Sequence, residues 1–153
     1  MSQVRLSVRT TSGTNAAPAL EIIAPVASTS APEQSKGLYI SAIRVTMGAA
    51  TAGLFGIGRP AAKGVGPTTP VRMLPMGAGQ ALEIQSRIAL AWTTTAPTIP
   101  AAFLERVNLP ATIGVGVLIE FKTPVFIPAG ETLILWNLGT NGVADVSVEG
   151  REG

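Results

Sequence analysis

Cysteine and histidine are both missing from the 153 residues, and aspartate occurs once, at Asp145. Without cysteine no disulfide can brace the chain, so the fold must stand on its apolar core. The same absences remove the thiol nucleophile, the commonest general base and the usual zinc ligands. A Ser-His-Asp triad cannot be assembled, and neither can a histidine metal site. Calcium asks for several oxygen ligands together, which one aspartate and dispersed glutamates do not supply. No metal or other cofactor is expected. Aromatic residues are few as well: two Trp, one Tyr and four Phe.

Charge is sparse, at 13% of residues, with a net charge of +2. Lysines and arginines are scattered without a run, whereas nucleic-acid binding uses a clustered basic face; no nucleic-acid partner is expected. No apolar run reaches the roughly 18 residues of a membrane-spanning helix. The start, MSQVRLSVRT, lacks the apolar stretch of a secretory signal, so synthesis in the cytoplasm is the expectation.

What the chain does contain is small and apolar. Hydrophobic residues make up 46%, and the mean hydropathy is +0.40. A chain of this length is one domain, here 1–153. Apolar surface left over on such a domain calls for a partner to cover it, so self-association or assembly into something larger is expected.

The period of the apolar residues is two. Ile113, Val115, Val117, Ile119 and Phe121 share one strand face. Pro128-Ala129-Gly130 turns the chain into an apolar strand over 132–138. Asn141-Gly142 is the pair a tight hairpin prefers, and 143–149 then alternates as the return strand. Upstream, 4–10 alternates cleanly and reads as a strand near a sheet edge. Further strands are expected within 19–27, over 37–47 with mixed parity that signals a bulge or two buried faces, over 52–58, and over 80–92. A helical turn is plausible only at 101–108. Eight or nine strands with turn signals between them predict an all-β, single-domain β-sandwich of jelly-roll type.

Two segments stand out as loops. Residues 28–36 (STSAPEQSK) form a loop or an arm that orders against a neighbour. Residues 59–75 carry prolines and glycines too densely for regular structure over most of their length. A long irregular segment in a compact domain is commonly a contact loop. Arg59, Pro60, Lys63 and Arg72 within it are the candidate partner-contact residues. Arg59 at the loop entrance could reach a neighbour's carboxylate or backbone carbonyls, although a solvated arginine is the commoner outcome.

Two chemical patterns are present and weak. Glu83, Glu105, Glu120, Glu131, Asp145 and Glu149 could supply a carboxylate pair about 5–9 Å apart for glycoside hydrolysis. They sit at alternating strand positions, where a solvated face puts them, so no catalytic residue and no enzyme activity is expected. Gly56-Ile57-Gly58-Arg59-Pro60-Ala61 matches a dinucleotide fingerprint, but Gly64, Gly66, Pro67 and Pro70 follow where the motif needs a helix. Trp92, Phe121 and Trp136 lie on apolar strand faces and read as core, with Asn137 linked to a turn.

At GRPAAKGVGPTTPV (58–71), PATIGVGVLIEF (110–121), LILWNL (133–138) and NGVADVSVE (141–149), the chain resembles small β-rich virion structural proteins of tailed bacteriophages. The likeness covers most of 37–149. It implies a capsid decoration (cement) protein, made in the host cytoplasm and located in the virion. It further implies a homo-oligomer, a homotrimer by preference, bound to the major capsid protein or other virion proteins. The alternative is a tail or receptor-binding β-module that recognises host glycan, which would need aromatic side chains exposed on loops.

Overall fold

The computed structural model describes residues 2–25, 37–77 and 84–153. The 28–36 segment and Glu83 lie outside them. Thirteen strands follow in order: β1 (Ser2–Arg9), β2 (Pro18–Ile23), β3 (Leu38–Met47), β4 (Gly53–Gly58), β5 (Val65–Pro67), β6 (Val71–Arg72) and β7 (Leu74–Pro75). Then come β8 (Arg87–Ala89), β9 (Trp92–Thr95), β10 (Glu105–Leu109), β11 (Gly116–Ile127), β12 (Thr132–Asn137) and β13 (Ala144–Glu152). Among the described residues there is no helix.

The pairing has a simple logic. β1 pairs antiparallel with β13, β2 with β12, β3 with β11 and β4 with β10. The chain is therefore one long hairpin, 1-2-3-4 going out and 10-11-12-13 coming back. Rolled up, it lays β11-β3-β13-β1 in one sheet and β10-β4-β12-β2 in the other. That arrangement is the jelly roll, and the expected all-β sandwich is what the chain forms. Strands shorter than five residues bring the total above the expected eight or nine.

Alternation fills the space between the sheets. Val4 and Leu6, Ile43 and Val45, and Val146 and Val148 face inward from the first sheet; Leu20, Ile22, Phe55, Ile57, Leu133 and Leu135 meet them from the second. Each fully buried aliphatic or aromatic side chain contributes about 1.5–3 kcal/mol over an exposed one. In β3 the inward parity changes from Leu38 and Ile40 to Ile43, Val45 and Met47. The switch is a bulge: Ala42 faces Glu149 and Ile40 faces Gly150, leaving Ser41 as the extra residue. Of the two explanations for mixed parity, the bulge holds.

The described residues of 59–104 form the tip of the rolled hairpin and fold back over the sandwich. β8 and then β6 extend the second sheet beyond β2, while β7 extends the first beyond β1. Residues 71–75 thus step from one sheet to the other, with Met73 buried at the step. The two-stranded β5–β9 sheet lies against the outer face of the second sheet, where the Trp92 indole N–H donates to Glu21 Oε1 at 3.0 Å. This cover explains why β12 is buried at all six positions.

Several expectations are corrected. The 101–108 stretch makes no helical turn: Val107 and Leu109 enter the core at period two, and β10 pairs with β4 along its whole length. Asn141-Gly142 is not a hairpin turn, because β12 and β13 belong to different sheets and neither residue has positive φ. Asn141 is instead buried, its side-chain amide bridging the N–H and C=O of Leu54 at 2.9 and 2.8 Å. The period-two run begins too early, since Ile113 is 64% exposed and β11 starts at Gly116. Of the strand expected over 80–92, residues 80–83 lie outside the described residues; among the rest only β8 is extended, and Trp92 opens a separate strand on the outer face.

Candidate partner-contact surface

Three of the four candidate contact residues converge. Arg59, Pro60 and Lys63 line a surface recess of about 540 Å³ with Ala61, Phe126, Pro128, Glu131 and Thr132. The local cause is the proline-rich exit from β4. Pro60 cannot continue the ladder, so the chain leaves the sheet and runs beside the β11–β12 turn. That turn is the expected one: Glu131 N–H donates to Pro128 C=O at 3.0 Å, and Gly130 takes φ +78°.

Two cations stitch the recess together. Arg59 Nη2 donates to the Phe126 carbonyl at 2.7 Å, one of the two outcomes its position allowed, within its own chain. Lys63 Nζ donates to the Gly130 carbonyl at 2.9 Å and stands 3.8 Å from Glu131 Oε1. Both side chains are exposed, so each ion pair or hydrogen bond there is weak. The Phe126 ring is held from its other side by Tyr39, centroid to centroid 4.8 Å, and Arg151 lies 5.0 Å over Tyr39. One wall is Thr132, only 5% exposed, whose hydroxyl is buried and has no partner among the described residues. The recess therefore offers cations at its rim and an apolar Phe-Pro wall.

Arg72 is elsewhere. It is exposed on β6, at the far edge of the second sheet. The sequence alone missed Phe126, Pro128, Glu131 and Thr132 as members of the recess. Their signal was available in the Pro128-Ala129-Gly130 turn, but its neighbour in space was not.

Of the carboxylates singled out in the sequence and described in the structure, only Glu120 and Glu149 come together in space. Asp145 accepts a bidentate pair from Arg9, Nε–Oδ1 2.8 Å and Nη2–Oδ2 2.9 Å. The guanidinium holds the Asp145 carboxyl below the usual carboxylate range, and its own pKa is raised in return. Glu105 is on β10 and Glu131 at the recess. Glu120 and Glu149 share the outer face of the first sheet with Ala42 between them. They border a shallow groove of about 350 Å³ together with Arg5, Arg44, Ser41 and Ser147. Among the described residues no cluster of three metal-ligating side chains occurs.

The glycine pattern at 56–58 has a packing role. Gly56 and Gly58 face outward from β4, and a Cβ on either would meet Phe103 Cδ1, at 2.9 and 3.1 Å. The ring lies where side chains are missing. Glu21 is the buried charged-type residue that composition could not single out: it is 1% exposed, and its Oε2 has no partner among the described residues. Trp136, fully buried, donates from its indole to the Gly58 carbonyl at 3.2 Å. Comparison with family models, with curated proteins and with solved structures finds no match for the chain.

Proposed function

We propose that this chain is a virion structural protein of a tailed bacteriophage, a capsid decoration protein that binds the assembled shell and has no reaction of its own. The observation that carries the reading is the convergence of Arg59, Pro60 and Lys63 on one recess. Rim cations beside an apolar Phe-Pro wall suit an extended protein segment bearing a carboxylate, as an inter-subunit seam would present. The jelly roll adds support by analogy only, since it occurs in viral capsid domains among others. Binding to the assembled shell and not to its dissociated subunits stabilises the shell by mass action, about 2.7 kcal/mol per site at a hundredfold excess over Kd. Repetition through a homo-oligomer, a trimer by preference, multiplies the effect.

The test mixes purified protein with empty shells. Co-sedimentation and a raised shell melting temperature are expected, and Arg59→Glu with Lys63→Glu should lower the bound fraction about tenfold or more. Protein left wholly in the supernatant sinks the proposal.

One observation favours the glycan-binding alternative. In the groove on the first sheet, two guanidinium groups and two carboxylates surround a floor of Ser41, Ala42 and Ser147. Donors and acceptors side by side suit a polyhydroxylated ligand. Saturation-transfer NMR against host-surface oligosaccharides separates the two readings, since signal that disappears in Ala42→Trp belongs to the groove and not to the recess.

A further inference from the structure

Asn141-Gly142, which makes no hairpin turn here, is the only Asn-Gly pair in the chain; the other asparagines precede Ala16, Leu109 and Leu138. In a flexible chain such a pair converts spontaneously, because glycine has no Cβ to shield its backbone nitrogen. The Gly142 nitrogen attacks Asn141 Cγ, the Cγ–Nδ2 bond breaks, and Nδ2 leaves as ammonia. The succinimide ring so formed takes up water at either carbonyl. It opens to aspartate, or to isoaspartate, whose backbone runs on through Cγ. The attack needs a side-chain amide free to swing over the next peptide nitrogen, and in the fold it is not free. Oδ1 accepts from the Leu54 N–H at 2.9 Å, while Nδ2 donates to the Leu54 carbonyl at 2.8 Å and to Asn137 Oδ1 at 2.9 Å. The main chain is held as well: the Asn141 N–H donates to the Gly13 carbonyl at 2.9 Å, and the Asn141 carbonyl accepts from the Gly13 N–H at 3.0 Å. Asn141 is 2% exposed, and Gly142 is packed so closely that a Cβ on it would stand 3.0 Å from that of Ala49.

We propose that Asn141 is a deamidation site that reacts while the chain is unfolded and is protected once it folds, and that the reacted chain cannot re-enter the roll. The amide that folding immobilises is the one that the reaction destroys. Aspartate at 141 sets an oxygen where Nδ2 now donates twice. Asn137 can turn its own amide to meet that oxygen, but the Leu54 carbonyl has no hydrogen to give, and the new charge is buried. Isoaspartate fits less well still, because its extra backbone carbon displaces Gly142 relative to the bridge with Gly13. Leu54 belongs to β4, Asn137 ends β12 and Asn141 leads into β13. The lost bonds are therefore those that tie the second sheet to the strand beside β1 and β3 in the first. Chains that stay open acquire a one-way mark, and chains that fold escape it.

The test incubates the full chain at mildly alkaline pH, once in buffer and once unfolded in urea. Peptide mapping by mass spectrometry then follows aspartate and isoaspartate at position 141. In urea the Asn141 peptide should convert ahead of those holding Asn15, Asn108 and Asn137. In buffer its conversion should be slower by about a hundredfold or more, since only open molecules react. After dilution from urea, unconverted chains should regain the native melting transition and converted chains should not. Asn141→Asp should likewise lose that transition, whereas Asn15→Asp, which adds the same charge at an exposed turn, should keep it. Should Asn141→Asp fail to accumulate, the urea-treated wild type supplies the same product. Equal rates in buffer and urea, or converted chains that melt at the wild-type temperature, overturn the proposal.

Discussion

Among the described residues the Glu21 carboxyl group has a single hydrogen-bond partner, and that partner comes from the β5–β9 strand pair that covers it. With Oε1 accepting from Trp92 and Oε2 unpaired in a buried place, the contact is asymmetric in its consequences. Removing the donor leaves a buried carboxyl with no hydrogen bond, a loss of about 1.5–3 kcal/mol rather than the ~1 kcal/mol of an ordinary bond. Trp92→Phe should therefore lower the urea midpoint markedly, and adding Glu21→Leu should recover much of the loss; a simple sum of two losses would show the contact to be passive. The Arg9–Asp145 pair behaves differently because both side chains are largely exposed, at 62% and 44%. The folded-state carboxyl of Asp145 sits below its unfolded value, so the pair stabilises above the unfolded value of about 4 and its contribution is lost as pH falls through the folded one. Arg9 stays protonated throughout. The melting-temperature gap between wild type and Asp145→Asn should thus be small at neutral pH, close as the solution is acidified, and shrink with added salt.

Among the elements, β13 shows how closely the bulge is built. A Cβ on Gly150 would collide with the Tyr39 carbonyl oxygen, part of the backbone of β3. Backbone cannot yield as a side chain does, so Gly150→Ala should cost about 1–3 kcal/mol. Gly114 is the control: it has φ +87° and nothing within 4 Å, so Gly114→Ala carries only conformational strain of roughly 1 kcal/mol. Equal losses of melting temperature in the two variants would refute this reading. The same strands show how much of the fold could be read in advance. Alternation locates β1, β13 and the first half of β11 because one face of each meets the core, and period two depends on nothing else; β12 is legible instead as an apolar run, β4 as a short glycine-broken one and β3 as a strand of mixed parity. It failed at β10, where Glu105-Arg106 in a short run looks as helical as extended until β4 lies beside it. It failed too at Asn141, whose value depends on Leu54, 87 residues away. Arg59 and Lys63 were legible as loop cations, but the Phe126–Thr132 wall that makes them a recess was not, since only the rolled hairpin brings it there.

At the scale of the whole molecule, what distinguishes the chain is where it leaves apolar groups uncovered. Its two sheets cover one another, and the described residues of the 59–104 excursion cover the back of the second, yet large apolar side chains such as Leu74 and Ile113 stay exposed. The nested pairing has a further result, in time rather than in space. β1, β2, β3 and β4 each find their main partners among the last four strands, so a ribosome must deliver the chain as far as Leu109 before the first ladder of the roll, β4 with β10, can close, and as far as β13 before the last one does. Until then the early strands wait with open edges, and the reward for bringing them together arrives last. Such topologies refold slowly, on the millisecond-to-second scale, and a nascent chain halted before β11 would have every reason to aggregate.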